Sequence, residues 1–233
     1  MIVRAALGAL ALVAAGAVVP VRAEPAYGSV TGVDGVLYDD CREHPYAYAV
    51  APPAEAEDWD LQVQAYGPDG QLSDTDFVHD GVLAGNGSFL LCPPADLYGR
   101  FTIRATLDWY DGSTWHPIAL ADASFSMRKP ATQTGLSVST RRPAYGTKVA
   151  YRFRVRDERP EGFAPTAFAW VVLQKRAHGR WVRVKDSRTL THADGRVKLR
   201  LEYRRHRKPL RVRAVTQEGD RWAASVSAPV RLW

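Results

Sequence analysis

Apolar and polar positions alternate with a period of two along most of the chain. In "WDLQVQAY" (59–66), Trp59, Leu61, Val63 and Ala65 fall on one side and Asp60, Gln62 and Gln64 on the other. That is the pattern of a strand with one buried face. The same reading predicts strands over 46–50, 87–92, 100–110 and 115–127. Further strands are predicted over 135–140, 147–157, 167–176, 180–190, 195–204, 210–217 and 221–232. Turn residues punctuate them at "GPDG" (67–70), "GNG" (85–87), "YDGS" (110–113), "RAHGR" (176–180) and "HADGR" (192–196), and Asp111-Gly112 predicts a hairpin. No helical period of useful length follows residue 23. The expected fold class is all-β: two tandem β-sandwich domains over residues 24–128 and 135–233. Residues 129–134, which contain Pro130 and no apolar period, are the expected linker.

Residues 1–23 depart from this pattern. A basic start ("MIVR"), an apolar run ("AALGALALVAAGAVV") and small residues Val21 and Ala23 ahead of Glu24 predict a secretory signal peptide. No second long apolar run follows, so no transmembrane anchor is expected in the mature form. The expected location is secreted or extracellular, with cell-wall association as an extension of it. Cys41 and Cys92 are the only two cysteines. In an oxidising compartment they are expected to form a disulfide. It would close a loop of about 50 residues, for which chain entropy gives about 4 kcal/mol.

Charge changes the picture more than composition does. The chain's formal charge is +6. Residues 24–128 contain 4 basic and 17 acidic residues, a net −13, whereas residues 129–233 contain 25 basic and 8 acidic, a net +17. An acidic domain is therefore tied to a basic one.

Within the basic half, "YGTKVAYRFRV" (145–155), "VVLQKRAHGRWVRV" (171–184), "THADGRVKLRL" (191–201) and "LRVRAV" (210–215) resemble the immunoglobulin-like repeats of secreted actinobacterial proteins. In those repeats a Tyr-Gly turn opens the second strand, Gly-x-Trp follows the turn after the third, and an Asp-Gly turn opens the fifth. The resemblance implies an immunoglobulin-like sandwich. For function it implies a spacer, stalk or binding module. The first half is similar more loosely, through "PPADLYGRFTIRA" (93–105). It has no cysteine in the strand that would carry the usual inter-sheet bridge. A staple between neighbouring strands is expected instead, since Cys41 precedes the 46–50 strand and Cys92 ends the 87–92 strand.

The basic residues are first of all the outward positions of strands. Tyr151, Phe153 and Val155 are expected to face in and Arg152, Arg154 and Arg156 out; Val197, Leu199 and Leu201 in, and Lys198 and Arg200 out. If these strands are neighbours, Arg152, Arg154, Arg156, Lys198 and Arg200 form one basic wall. Such a wall suits a cell-wall polyanion or the acidic domain of the same protein, within one chain or between chains as an oligomer. Nucleic acid is disfavoured by the exported location and by the lack of any recognition motif. "RRHRKP" (204–209) reads as a turn, not a detached arm. Asp74, Asp76 and Asp80 in "SDTDFVHDG" (73–81) are a candidate calcium set on a loop, without the order of an EF-hand. No other cofactor is expected. "AFAWVVLQKR" (167–176) is apolar on both faces, so Phe168, Trp170 and Val172 are expected to be covered by the first domain, a partner or the loop 157–166. No G-x-S-x-G, H-E-x-x-H or phosphate loop is present, and the expectation is not an enzyme. Three functions fit: a binding or adhesion module held at the envelope by the basic face, a self-associating structural protein, or a calcium-binding extracellular module.

Overall fold

The computed structural model describes residues 27–79, 82–93, 97–204 and 209–233. The expected signal peptide and most of the 204–209 turn lie outside them. The described residues contain strands and no helix. None forms a helix long and apolar enough to cross a membrane.

The N-terminal strands are β1 (Gly28–Gly32), β2 (Gly35–Val36), β3 (Arg42–Val50), β4 (Asp58–Tyr66), β5 (Leu72–His79), β6 (Ala84–Leu91), β7 (Gly99–Tyr110), β8 (Trp115–Ala119) and β9 (Ala123–Arg128). One sheet runs β1-β3-β6 and the other β2-β9-β7-β4-β5, with β8 also on β7. All pairings are antiparallel except β2 with β9. Alternation in β4 buries Trp59, Leu61, Val63 and Ala65 against the facing sheet, as the sequence predicts. The two sheets meet through aromatic rings. Phe125 of β9 stacks on Phe101 at 5.1 Å between centroids, and across the layers on His44 at 4.7 Å and Phe89 at 6.2 Å. Burial pushes the His44 imidazole down from its ordinary pKa, so the ring is neutral, and its Nε2 bonds the Val33 carbonyl at 2.6 Å.

The expected staple is present. Arg42 pairs with Leu91, so Cys41 and Cys92 occupy the next opposed positions on β3 and β6, with Cα atoms 4.1 Å apart in the disulfide. The single strand expected over 115–127 is two. β8 pairs with β7 as Thr106 to Ala119, whereas β9 pairs as Ile103 to Ala123. One extra residue therefore lies on the β8–β9 side, the geometry of a bulge. Leu120 still keeps the β8 register, its N–H bonded to the Ala105 carbonyl at 2.9 Å, so the surplus falls at Ala121 and Asp122.

The C-terminal strands are β10 (Thr132–Val138), β11 (Lys148–Arg159), β12 (Gly162–Pro165), β13 (Trp170–Ala177), β14 (Arg180–Arg183), β15 (Thr189–Leu190), β16 (Arg196–Glu202), β17 (Leu210–Thr216), β18 (Ser225–Val226) and β19 (Val230–Leu232). One sheet centres on β11, flanked by β10 on one side and by β16 and β12 on the other; the second runs β14-β13-β17-β18, with β15 on β13 and β19 on β17. Buried apolar residues form a second cluster between these sheets. It contains Tyr151, Phe153, Val155 and Val197 from one and Val171, Leu173, Val212 and Ala214 from the other. First, second and fifth strands on one sheet, with third, sixth and seventh on the other, is the immunoglobulin-like order. The strand expected over 180–190 is broken because the fully buried Ser187 hydroxyl donates to the Val184 carbonyl at 2.6 Å and accepts from Leu173 N–H at 3.2 Å. A local side-chain bond here replaces the ladder. Residues 129–131 alone separate β9 from β10.

Two ion pairs span this join, and a third lies beside it. Arg128 grips Glu158 with two bonds, Nη1–Oε2 at 2.7 Å and Nη2–Oε1 at 3.0 Å. Lys129 Nζ meets Glu218 at 2.7 Å and lies 5.3 Å from the Tyr98 ring centroid. Arg159 Nη2 bridges Asp39 at 3.0 Å and Asp157 at 2.7 Å. The Arg128 bond holds the Glu158 carboxyl below its ordinary pKa, against desolvation.

Two outcomes are expected. Replacing both Cys41 and Cys92 by Ser lowers unfolding free energy by up to about 4 kcal/mol, read from urea denaturation. Glu158→Gln costs about 1 kcal/mol or less at pH 7, because Arg128 is well exposed and solvent screens the pair. A depressed carboxylate pKa stabilises above the unfolded value and stops doing so as pH falls through the folded value. The melting temperatures of the parent and Glu158→Gln therefore converge on acidification.

Candidate functional site

β11 is the central strand of its sheet, and its alternation is strict. Tyr151, Phe153 and Val155 are buried, while Arg152 and Arg154 are exposed. Burying three large side chains on one face fixes the orientation of the other. The β16 register then sets the cations opposite one another: Arg152 faces Lys198, and Arg154 faces Arg196. Directly opposed side chains on one face have Cβ atoms about 5 Å apart. Across the other edge of β11, Arg152 faces Ser137 and Arg154 faces Gly135. These residues line a shallow open trough of about 620 Å³, with His192 at one end.

Of the five residues expected in the basic wall, Arg152, Arg154 and Lys198 line this trough. Arg200 is exposed opposite Ala150, toward the end where Lys148 faces Glu202. Arg156 is half-buried between Gln133 and Pro165, with its Nε buried and unbonded, so it is withdrawn from the open face. Arg196 is the residue the sequence reading missed. It falls in both the expected 192–196 turn and the expected 195–204 strand and is absent from the expected wall; it opens β16, and its N–H bonds the Asp194 side chain at 3.0 Å. The alternation of Arg196, Lys198 and Arg200 could have found it.

Among the described residues none of Arg152, Arg154, Arg196 and Lys198 makes an ion pair or a side-chain hydrogen bond. On the other sheet of this half two arginines are engaged. There Arg188 lies 4.1 Å over the Trp170 ring and bonds Gln217, and Arg213 lies 4.4 Å over Trp181 and bonds Gln174. Those arginines are occupied, and the trough cations are not. β16 pairs only with β11, so its charges also guard an open sheet edge. That explanation does not extend to Arg152 and Arg154 on a central strand.

The other candidates fare differently. The "SDTDFVHDG" stretch is not a loop: Asp74 and Asp76 lie on β5. Asp74 Oδ2 accepts the Leu90 N–H at 2.6 Å, and Asp76 Oδ2 accepts the Tyr46 hydroxyl at 2.8 Å. Burial, and then Asp76, push the Tyr46 phenol well above its ordinary pKa, so it stays a donor. Both carboxylates thus tie β5 to the facing sheet. Asp80 lies outside the described residues. Among the described residues no group of three or more metal-ligating side chains occurs. Neither the first half nor the loop 157–166 covers Phe168 and Trp170, which are 64% and 42% exposed, and only Val172 is buried. Phe168 sits outside β13 at φ 56°, bonded through its N–H to Thr191. The ion pairs at the join use Arg128, Lys129 and Arg159, not the trough residues.

No protein-family model matches the chain. No curated protein matches it either. Among solved structures it is similar to a tetra-tandem repeat from the extending region of a large adhesion protein, at 14% identity and a TM-score of 0.37, over 88% of this chain and 49% of that one. It is similar to Escherichia coli alpha-2-macroglobulin in its native conformation at 13% identity and a TM-score of 0.32, over 89% of this chain and 14% of that one. Bacteroides uniformis beta-glucuronidase 3 aligns at 15% identity and a TM-score of 0.27, over 90% and 25%. The chain thus spans about half of the adhesion-protein structure. Likenesses this distant say nothing about activity.

Opposed like charges destabilise a sheet. Lys198→Glu, which sets a carboxylate opposite Arg152, should raise stability by about 0.5 kcal/mol at low ionic strength. The gain should shrink at about 1 M salt. Thermal melts at the two salt concentrations read this directly.

Proposed function

We propose that this protein is an exported, non-catalytic binding module of two immunoglobulin-like domains, acidic over 24–128 and basic over 135–233. In this reading it is retained at the cell envelope by an anionic polymer bound to the basic face of the second domain. The observation that carries the reading is the set of four unpaired cations, Arg152, Arg154, Arg196 and Lys198, two of them on a central strand. Cations placed opposite one another at a cost to the sheet, and left without partners, suit a ligand that supplies the missing charge. Export is supported by residues 1–23 and agrees with the Cys41–Cys92 disulfide. The acidic first domain serves as a spacer and as an internal competitor that weakens binding at low salt.

The test is co-sedimentation of the protein with purified cell-wall material across a salt series. Replacing Arg152, Arg154, Arg196 and Lys198 together by Gln should abolish sedimentation while leaving the melting temperature equal or higher. For the parent, two to four neutralised anionic groups predict a log–log salt slope between about −1 and −3. Retention that survives the quadruple change refutes the reading. Salt-sensitive oligomers in light scattering, with no wall binding, would favour self-association through the two oppositely charged domains.

A further inference from the structure

The trough has a glycine where its fold does not need one. Gly135 lies in the middle of β10, facing outward and opposite Arg154. Its φ is not in the left-handed region. A Cβ there would meet only the Arg154 carbonyl oxygen at 3.6 Å and the Arg154 Cβ at 3.7 Å, ordinary contacts. Glycine inside a strand costs conformational entropy and offers no side chain to the sheet. Steric demand therefore does not explain it. What it does is keep one wall of the trough open beside the cations. The next outward residue, Ser137, is also small.

The cations form two rungs, Arg152 with Lys198 and Arg154 with Arg196. Successive same-face positions on a strand are about 7 Å apart. Each rung offers two positive groups to one anionic group, and three of the four are guanidinium forks, which match phosphate oxygens. The trough has no exposed Phe, Tyr or Trp platform for bases: Phe153 and Val197 lie beneath it, 2% and 9% exposed, and the one exposed ring among its lining residues is the His192 imidazole. Stacking is what single-stranded nucleic acid would require. A narrow, flexible backbone with closely spaced single charges fits, whereas a bulky polysaccharide with widely spaced carboxylates does not.

We propose that this trough seats an extended phosphodiester polymer of small polyol units, lying along β11 over Gly135 with one phosphate on each rung. The proposal rests on the polyanion reading above and adds the chemistry and path of the ligand.

The experiment titrates the whole protein with fluorescent glycerol-phosphate oligomers, and with hyaluronan and oligo(dT) fragments of equal charge. It is repeated with Gly135→Val and, as a smaller change, Gly135→Ala. Glycerol-phosphate binding at least about tenfold tighter than either control is expected. Gly135→Val should weaken it about tenfold and Gly135→Ala by less, with melting temperatures unchanged or raised, since a side chain is added to a strand. Equal affinity for all three polymers, or binding untouched by both Gly135 variants, overturns the seated phosphodiester but leaves a basic face that binds polyanions. No binding of any polymer by the parent removes the polyanion reading itself.

Discussion

The register of β11 against β16 is the constraint on which the rest of the second core depends. Burial of Tyr151, Phe153 and Val155 decides which side of β11 faces inward. Each such side chain contributes about 1.5–3 kcal/mol on leaving water, whereas an opposed like-charge pair costs roughly 0.2–1 kcal/mol. Burial wins, so Arg152 and Arg154 must stand in line with Lys198 and Arg196. A slip of one residue would relieve the repulsion only by turning the core side chains into water. The charged face is therefore held in place by the apolar face behind it.

Charge in the second half follows two regimes. On the sheet containing β13 and β17, Arg188 and Arg213 lie over tryptophans and bond glutamines, so the charge of these two is spread over fixed neighbours. On the sheet containing β11 and β16, Arg152, Arg154, Arg196 and Lys198 are bare, whereas Arg159 at the end of β11 is paired with Asp39 and Asp157. At the join, a few residues carry the contact between oppositely charged halves, and one pair runs against the overall asymmetry: Arg128 comes from the acidic side and Glu158 from the basic side. Net charge alone would not have located that contact.

Alternation made β4, β7, β11 and β16 legible, because each buries one face against a facing sheet. The disulfide was legible because the chain has one possible pair. β5 was not: its acidic residues read as loop ligands, whereas Asp74 and Asp76 point inward and bond a backbone amide and a tyrosine of the facing sheet. β1 and β2 are short and glycine-bounded, so their pattern is too brief to stand out. The breaks in 115–127 and 180–190 depend on a bulge and on a buried serine, both set by partners distant in sequence. The basic wall was mostly legible. Arg196, where an expected turn and an expected strand overlap, was left out of the wall, and Arg156 is half-buried, because strand ends and half-burial are set by packing.

β2 runs parallel to β9, the last strand before the join. Tension along the chain would draw these two strands past each other, so their hydrogen bonds would resist together and not open one by one. The Cys41–Cys92 bond keeps everything between those residues out of the path of extension. Under load, the first half can lengthen only through its outer segments, and the covalent loop carrying β3, β4, β5 and β6 stays gathered while they yield.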